Sequence, residues 1–449
     1  MIPQKQKYHE ALTFLESLEC FGMKLDLENI QVLLSVLGDP HQDLKVIHVA
    51  GTNGKGSTSA MLASILQESG YSIGLYTSPH LCTPRERIQK NGMCISEERF
   101  IDLVHLVMSQ VHLLRTSNNL FPTYFEVMTA IALRYFSDEK ADFVVLETGM
   151  GGRLDSTNIV PSQIQVITNI DLEHTRYLGK TIREIAFEKA GIIKPCSFVI
   201  TGAQGEALTV IEERCYEKGA HFFRLGKEIH FQLLQKNWEG ERLIIQVGER
   251  KREIEIKLLG AHQLENAALA MGAVEALIQF GFFLPERAIL SGFKKASWPG
   301  RFEILKKEPL VIIDAAHNPA GMRSLVNTWQ EVVGPRGADL IFSSLEDKDV
   351  EKMVKNLCPI VEEVTLVEVS NPRTRKLKDL ERVWRSYLPE EKIHLSTLQK
   401  VIQKLKNREK NTRPLLVTGS IYLLGEVLSP LSLLTDKRDH PPTIPEAPG

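Results

Sequence analysis

No stretch of the 449-residue sequence offers the unbroken apolar run of about 20 residues that a membrane-spanning helix needs. The most apolar late segment, PLLVTGSIYLLGEVLSPLSLL, is interrupted by Gly419, Ser420, Gly425, Glu426 and Pro430 and reads as a buried strand, a turn and a helix. Cysteine is scarce: Cys20, Cys82, Cys94, Cys196, Cys215 and Cys358 form no C-x-x-C pair, which excludes a disulfide scaffold and leaves reduced thiols used in packing. Charge of one sign is also lacking. The formal net charge is −2, so nothing advertises a nucleic-acid or anionic-membrane partner. The opening residues, MIPQKQKYHEALTFL, contain no long apolar h-region, so no secretory signal is expected and a cytoplasmic location is. No internal repeat of solenoid length is apparent.

What is present is an ordinary globular balance, 43% hydrophobic and 24% charged, in a chain long enough for two or three domains. Short β-rich runs (VIHVAG, YSIGLYT, ADFVVLETG, IQVITNID, CSFVITG) alternate with helical stretches such as STSAMLASILQESG and TYFEVMTAIALRYFSD. This alternation predicts parallel βαβ units in a doubly wound α/β sheet, whose ligands sit outside the carboxyl ends of the strands. FQLLQKNWEGERLIIQVGERKREIEIKLLG predicts a small antiparallel insert, followed by an apolar helix in GAHQLENAALAMGAVEALIQFG. KKASWPGRFEIL reads as a linker, after which the strand–helix alternation restarts. The expected division is a nucleotide-binding domain over 1–296, a smaller Rossmann-like α/β domain over 297–434 and a disordered tail over 435–449, rich in Pro and charge.

The segment KVIHVAGTNGKGSTSAMLASIL places a glycine-rich loop between a strand and a helix. Such a loop aims backbone N–H groups and a helix N-terminus at phosphate oxygens. Lys55 can reach the β- and γ-phosphates, and Ser57 can place a hydroxyl near magnesium. The spacing departs from G-x-x-x-x-G-K-[ST], since Val49 stands where the first glycine belongs and Gly56 separates Lys55 from Ser57. Three further polar residues follow predicted strands of the same sheet: Ser78 in LYTSPHL, Glu147 in VVLETG and His174 in ITNIDLEHTRYLG. Carboxylate, hydroxyl and imidazole groups converging on phosphates are what a magnesium–nucleotide site requires.

Taken in order, GTNGKGS, TSPHL, TYFE, ETGMGGRLDSTN, LEHTRYLG, EKAGIIKP, WPGRFE and DAAHNP resemble the folylpolyglutamate synthase/dihydrofolate synthase family, ATP-dependent amide ligases of the Mur ligase superfamily. The resemblance runs from about residue 10 to about residue 430, and a glycine after the loop lysine suits that family. It implies an enzyme that activates the carboxylate of dihydropteroate or a reduced folate as an acyl phosphate and joins it to L-glutamate.

Carried onto this chain, the resemblance implies that Asn53, Gly54, Lys55, Gly56, Ser57 and Thr58 hold the triphosphate of ATP, while Ser78, Glu147 and His174 bind magnesium, two ions in all. Lys189 matches a lysine that relatives carboxylate with CO₂. Asn266 is expected at the adenine, and Arg301 and Asp314 at the nucleotide from the linker and second domain. His317 is expected in glutamate placement or in closure, with Asp347, Lys348 and Asp349 near the glutamate end. Thr123, Phe125 and Glu126 of TYFE are expected on the folate side, as is KLDLENIQVLLSVLGDP. Glu173 replaces the family's aspartate before the histidine, and FSSLEDKD lacks a glycine often found before D-K-D. A monomer is expected, closing about Ser297–Arg301. Two alternatives fit less well. A peptidoglycan-type Mur ligase needs an extra N-terminal domain, and about fifty residues before the loop are too few for one. A guanine-selective switch needs N-K-x-D, and the chain has no Asn-Lys dipeptide.

Overall fold

The computed structural model describes residues 3–22, 24–410 and 412–431; the tail expected over 435–449 lies outside the described residues. The large sheet contains β1 Val46–Ala50, β2 Ile73–Tyr76, β3 Ile88–Lys90, β4 Met93–Cys94, β5 Phe143–Glu147, β6 Ile164–Ile167, β7 Phe198–Thr201 and β8 His221–Arg224. Their order is β4-β3-β2-β5-β1-β6-β7-β8. From β2 to β8 every pairing is parallel, while β3 and β4 run antiparallel at one edge. The central strands are apolar on both faces because both faces are covered. Ile47, Val49 and Val145 pack under helices Lys55–Glu68 and Ala261–Gln279. Val46, Val144 and Leu146 pack on the opposite side with helices Gln4–Ser17, Glu28–Val36, Glu97–Asn118 and Tyr124–Asp138. From β1 the chain crosses to β2 on one side and later returns to β6 on the other, so the carboxyl ends of β1, β5 and β6 form the crevice where such sheets bind ligands.

The insert is a three-stranded antiparallel sheet of β9 Ile229–Asn237, β10 Gly240–Val247 and β11 Arg250–Ile256, with order β11-β10-β9. Its inward Ile229, Leu243, Ile245 and Ile254 join the core shared with helix Ala261–Gln279.

The second domain holds β12 Glu303–Lys307, β13 Leu310–Ile313, β14 Ala338–Phe342, β15 Val361–Leu366, β16 Ile393–Leu395 and β17 Leu415–Thr418, ordered β12-β13-β17-β14-β15-β16. All pairings are parallel except β12 with β13. One face packs on helices Pro319–Val332 and Val350–Leu357, the other on Ile421–Leu428. Among the described residues no helix is long and apolar enough to cross a membrane.

Candidate functional site

β1 is fully buried and delivers the chain into the glycine loop. Gly54 turns with φ 86°, in the left-handed region that glycine adopts without steric cost, and a Cβ there would lie 2.2 Å from Asn266 Oδ1. Helix Lys55–Glu68 starts at once, with Ser57 and Thr58 buried in its first turn. The end of β6 steadies the loop: Thr168 Oγ1 donates to the Asn53 carbonyl (2.6 Å), and the Asn53 N–H donates to Asn169 Oδ1 (2.8 Å). Lys55 Nζ donates to the carbonyls of Gly51 (3.1 Å) and Thr52 (3.2 Å). The odd position, Gly56, has a steric cause: its Cβ would fall 2.7 Å from Nε1 of Trp298, which reaches over from the linker.

The neighbouring loops converge as the sheet order requires. Glu147 ends β5 with 4% exposure, and its Oε2 accepts the Ser78 N–H (3.2 Å). Burial raises its pKa, against the pull of Lys55. His174, at φ 49°, opens the short helix Thr175–Leu178. Burial lowers its pKa despite Glu173, whose carboxylate lies 3.6 Å from Nε2. Lys189 is 2% exposed, and Nζ donates to the Gly51 carbonyl at 2.7 Å. Burial, assisted by the charge of Lys55, lowers its pKa to about 7. Burial would raise Glu173, but Lys55, Lys189, His174 and His317 outweigh it and hold it low. The acid noted in the sequence only as a departure from the family pattern is thus the anion shared by four expected site residues.

A cavity of about 340 Å³ opens between the domains. Ser78, Thr123, Phe125 and His174 line it from the first domain, and His317, Lys348 and Arg373 from the second. Phe125 packs against Gly149, where a Cβ would lie 2.5 Å from Cζ. Thr123 also caps helix Tyr124–Asp138, and Glu126 completes that capping box from below the cavity: its Oε2 accepts the Thr123 N–H (2.7 Å) and Asn29 Nδ2–H (3.2 Å). Glu126 is therefore not among the lining residues. Lys24 and Leu25, from the segment before the loop, are. Sequence reasoning passed over Arg87 and Asp155, which also line the cavity. Arg87 Nε donates to His80 Nδ1 (2.9 Å), and its guanidinium lies 5.2 Å from the Tyr124 ring centre. Asp155 accepts the N–H groups of Met150 (2.8 Å) and Thr157 (3.0 Å), fixing the glycine-rich turn after β5. For Asp155 the available signal was its place inside ETGMGGRLDSTN; Arg87 lies six residues beyond TSPHL, outside every such motif.

From the second domain, His317 Nδ1–H donates to the Ala315 carbonyl (2.9 Å). Burial and Lys348 lower its pKa to about 4, so the ring is neutral and Nε2 keeps its lone pair. Both Asp314 oxygens serve the backbone, Oδ2 taking the Phe302 N–H and Oδ1 the Ala316 N–H, each at 2.8 Å. Arg301 bears electrostatically on Glu147, Asp314 and His317. Asn318 Nδ2 donates to Asn53 Oδ1 (3.2 Å), directly joining the second domain to the loop. Asn266 Nδ2 donates to Gln263 Oε1 (3.0 Å) beside Gly54. Asp349 instead caps helix Val350–Leu357.

The donors fit magnesium bound together with phosphates. Ser78 and Glu147 meet, and His174 lines the same cavity as Ser78. Among the described residues no three His, Cys, Asp or Glu side chains form a metal cluster of their own. Magnesium keeps few protein ligands and takes the rest from phosphates and water.

Two family models match the chain: Mur ligase middle domain over residues 49–274, and Mur ligase, glutamate ligase domain, over 300–421. The dihydrofolate synthase/folylpolyglutamate synthase of Bacillus subtilis is 37% identical over 428 residues, covering 94% of this chain and 98% of the relative. The folylpolyglutamate synthase of Thermotoga maritima superposes with a TM-score of 0.85 at 34% identity, over 97% of this chain and 98% of its own. That of Mycobacterium tuberculosis, complexed with ADP and AMPPCP, superposes with a TM-score of 0.86 at 30% identity, over 95% and 98%.

Proposed function

The chain belongs to the folylpolyglutamate synthase/dihydrofolate synthase family of Mur ligases, and from that premise we propose that it is an ATP-dependent ligase joining L-glutamate to dihydropteroate and to reduced folates. The carrying observation is the convergence of the loops after β1, β2, β5 and β6 with His317 and Lys348 of the second domain around one cleft.

A carboxylate is a poor electrophile. In the proposed reaction one of its oxygens attacks the γ-phosphorus, ADP departs, and a mixed anhydride results. The glutamate amine then attacks the carbonyl carbon, and phosphate leaves with the original carboxylate oxygen. Positioning and charge neutralisation dominate the first step. Asn53, Gly54, Lys55, Gly56, Ser57 and Thr58 would hold the triphosphate, with Asn266 at the base beside Gly54. Bound magnesium would supply positive charge at the phosphate oxygens, held by Ser78, Glu147 and His174. A second ion calls for another anion, and Lys189 is suited to become one: a pKa of about 7 leaves much of its amine neutral, as reaction with CO₂ requires. Phe125 and Thr123 would pack the acceptor ring, while Glu126 positions both by capping their helix.

His317 would accept the proton of the attacking amine at Nε2, and Lys348 would pair with a glutamate carboxylate. Arg301 would reach the nucleotide, and Asp314 would act by fastening the linker. The two domains, 1–296 and 297–434, would close over the anhydride and exclude water. A cytoplasmic monomer suits this reading.

The test is transfer of labelled glutamate, with ATP and magnesium, to dihydropteroate and to a reduced folate. Labelling of both is expected. Labelling of one alone would establish a single activity, and ATP turnover with neither labelled would overturn the acceptor assignment.

A further inference from the structure

The linker carries Trp298, a side chain with no part in the scheme above. Its indole packs against the core of the first domain and covers Gly56 in the first turn of helix Lys55–Glu68. A Cβ on Gly56 would lie 2.7 Å from Nε1, 2.9 Å from Cε2 and 3.0 Å from Cζ2. Two residues on, the chain is fastened to the other domain. The Gly300 carbonyl accepts the Ala315 N–H (2.8 Å), the Gly300 N–H donates to Glu303 Oε2 (2.9 Å), and the Phe302 N–H donates to Asp314 Oδ2 (2.8 Å). Only Pro299 separates the two sets of contacts.

Gly56 does not have a left-handed φ. A helix would ordinarily accept alanine there more readily than glycine. The missing side chain at 56 is therefore dictated by the indole and not by the backbone.

We infer that Trp298 is a positioning residue for the nucleotide: its indole seats the first turn of the phosphate-loop helix and, through Pro299, ties the loop to the position of the second domain. The inference rests on the ligase reading only for the identity of the ligand.

The test is a double-mutant cycle in the full chain with Gly56→Ala, Trp298→Ala and both together, plus Trp298→Phe. ADP affinity with magnesium is measured by calorimetry, and KM for ATP and kcat by turnover. Gly56→Ala is expected to weaken ADP binding about tenfold or more, and adding Trp298→Ala to restore much of that loss. Trp298→Ala alone is expected to raise KM for ATP more than it lowers kcat, with Trp298→Phe closer to wild type. Independent effects, the double variant binding as weakly as the product of the two single losses, would overturn the inference. If Gly56→Ala does not fold, an unchanged KM for ATP in Trp298→Ala overturns it instead. Rescue in the cycle without glutamate transfer by the wild type would sink the ligase reading and leave this inference standing. Transfer with an additive cycle would do the reverse.

Discussion

On the first domain's side of the cleft, Glu147, Asp155 and Lys189 are buried, and each is hydrogen-bonded to backbone. On the second domain's side, Asp347 and Arg373 are exposed on loops, and Lys348 is half-buried. Those loops are joined by a bridge between Leu345 and Thr374 and by Arg375 Nη2, which donates to the carbonyls of Glu346 (2.7 Å) and Lys348 (3.1 Å). The difference matches the demands of the two half-reactions of the proposed ligation. Phosphoryl transfer needs charges fixed in advance in a dry site, where they act strongly and cost no reorganisation. Delivery of glutamate, with its two carboxylates, would call for an open wall that admits it and then approaches. The contrast implies that damage to the buried groups of the first wall lowers turnover, whereas damage to the exposed loops carrying Asp347 and Arg373 raises the amount of glutamate required.

The sharpest way to break this contrast is at Lys55. Lys55→Met is expected to lower kcat by about 10²–10³ with either acceptor, measured by phosphate release; a change confined to KM for glutamate would erase the distinction. Next is Lys189. Removal of CO₂ is expected to slow the wild type, and bicarbonate to restore it. The dependence should steepen as pH falls below about 7, because protonation removes the reactive amine. Lys189→Ala should be slow and indifferent to CO₂, and equal sensitivity in that variant would exclude the carbamate.

Smaller effects sharpen the second wall and the acceptor end. Arg373→Ala is expected to raise KM for glutamate about tenfold, the scale of one charged hydrogen bond, with KM for ATP unchanged. Steady-state titration of each substrate decides it, and a rise confined to ATP would place Arg373 on the wrong half-reaction. The smallest expected effect is at Thr123. Thr123→Ala should cost about 1 kcal/mol of stability through the lost helix cap, read by chemical denaturation. Full stability combined with a large rise in acceptor KM would make Thr123 a substrate contact first and a cap second.

The legible parts of this protein were those set by local pattern. The runs that became β1, β2, β5, β6 and β7 announce themselves as apolar segments ending in Gly, Thr or Asp, and the residues after them collect at one crevice because the sheet is parallel. The short strands β3, β4 and β12, at or next to a sheet edge, were not legible, since two to five residues carry little periodic signal. Thr123-x-x-Glu126 drew attention as a substrate motif, though the same spacing is also the signature of a capping box, which it forms. Asp314 was legible as a special residue, but its two backbone partners were not, because they depend on how the linker folds back. The reason for Gly56 was beyond any local reading: it lies in an indole supplied by the linker, more than 240 residues along the chain.

The most direct test of the account follows an oxygen atom. Acceptor labelled with ¹⁸O in its reacting carboxylate is converted with ATP and glutamate, and the inorganic phosphate is examined by mass spectrometry. Activation of that carboxylate by phosphorylation predicts one ¹⁸O in the phosphate for each amide bond formed. Unlabelled phosphate accompanying labelled amide would contradict it and require a different route to the amide.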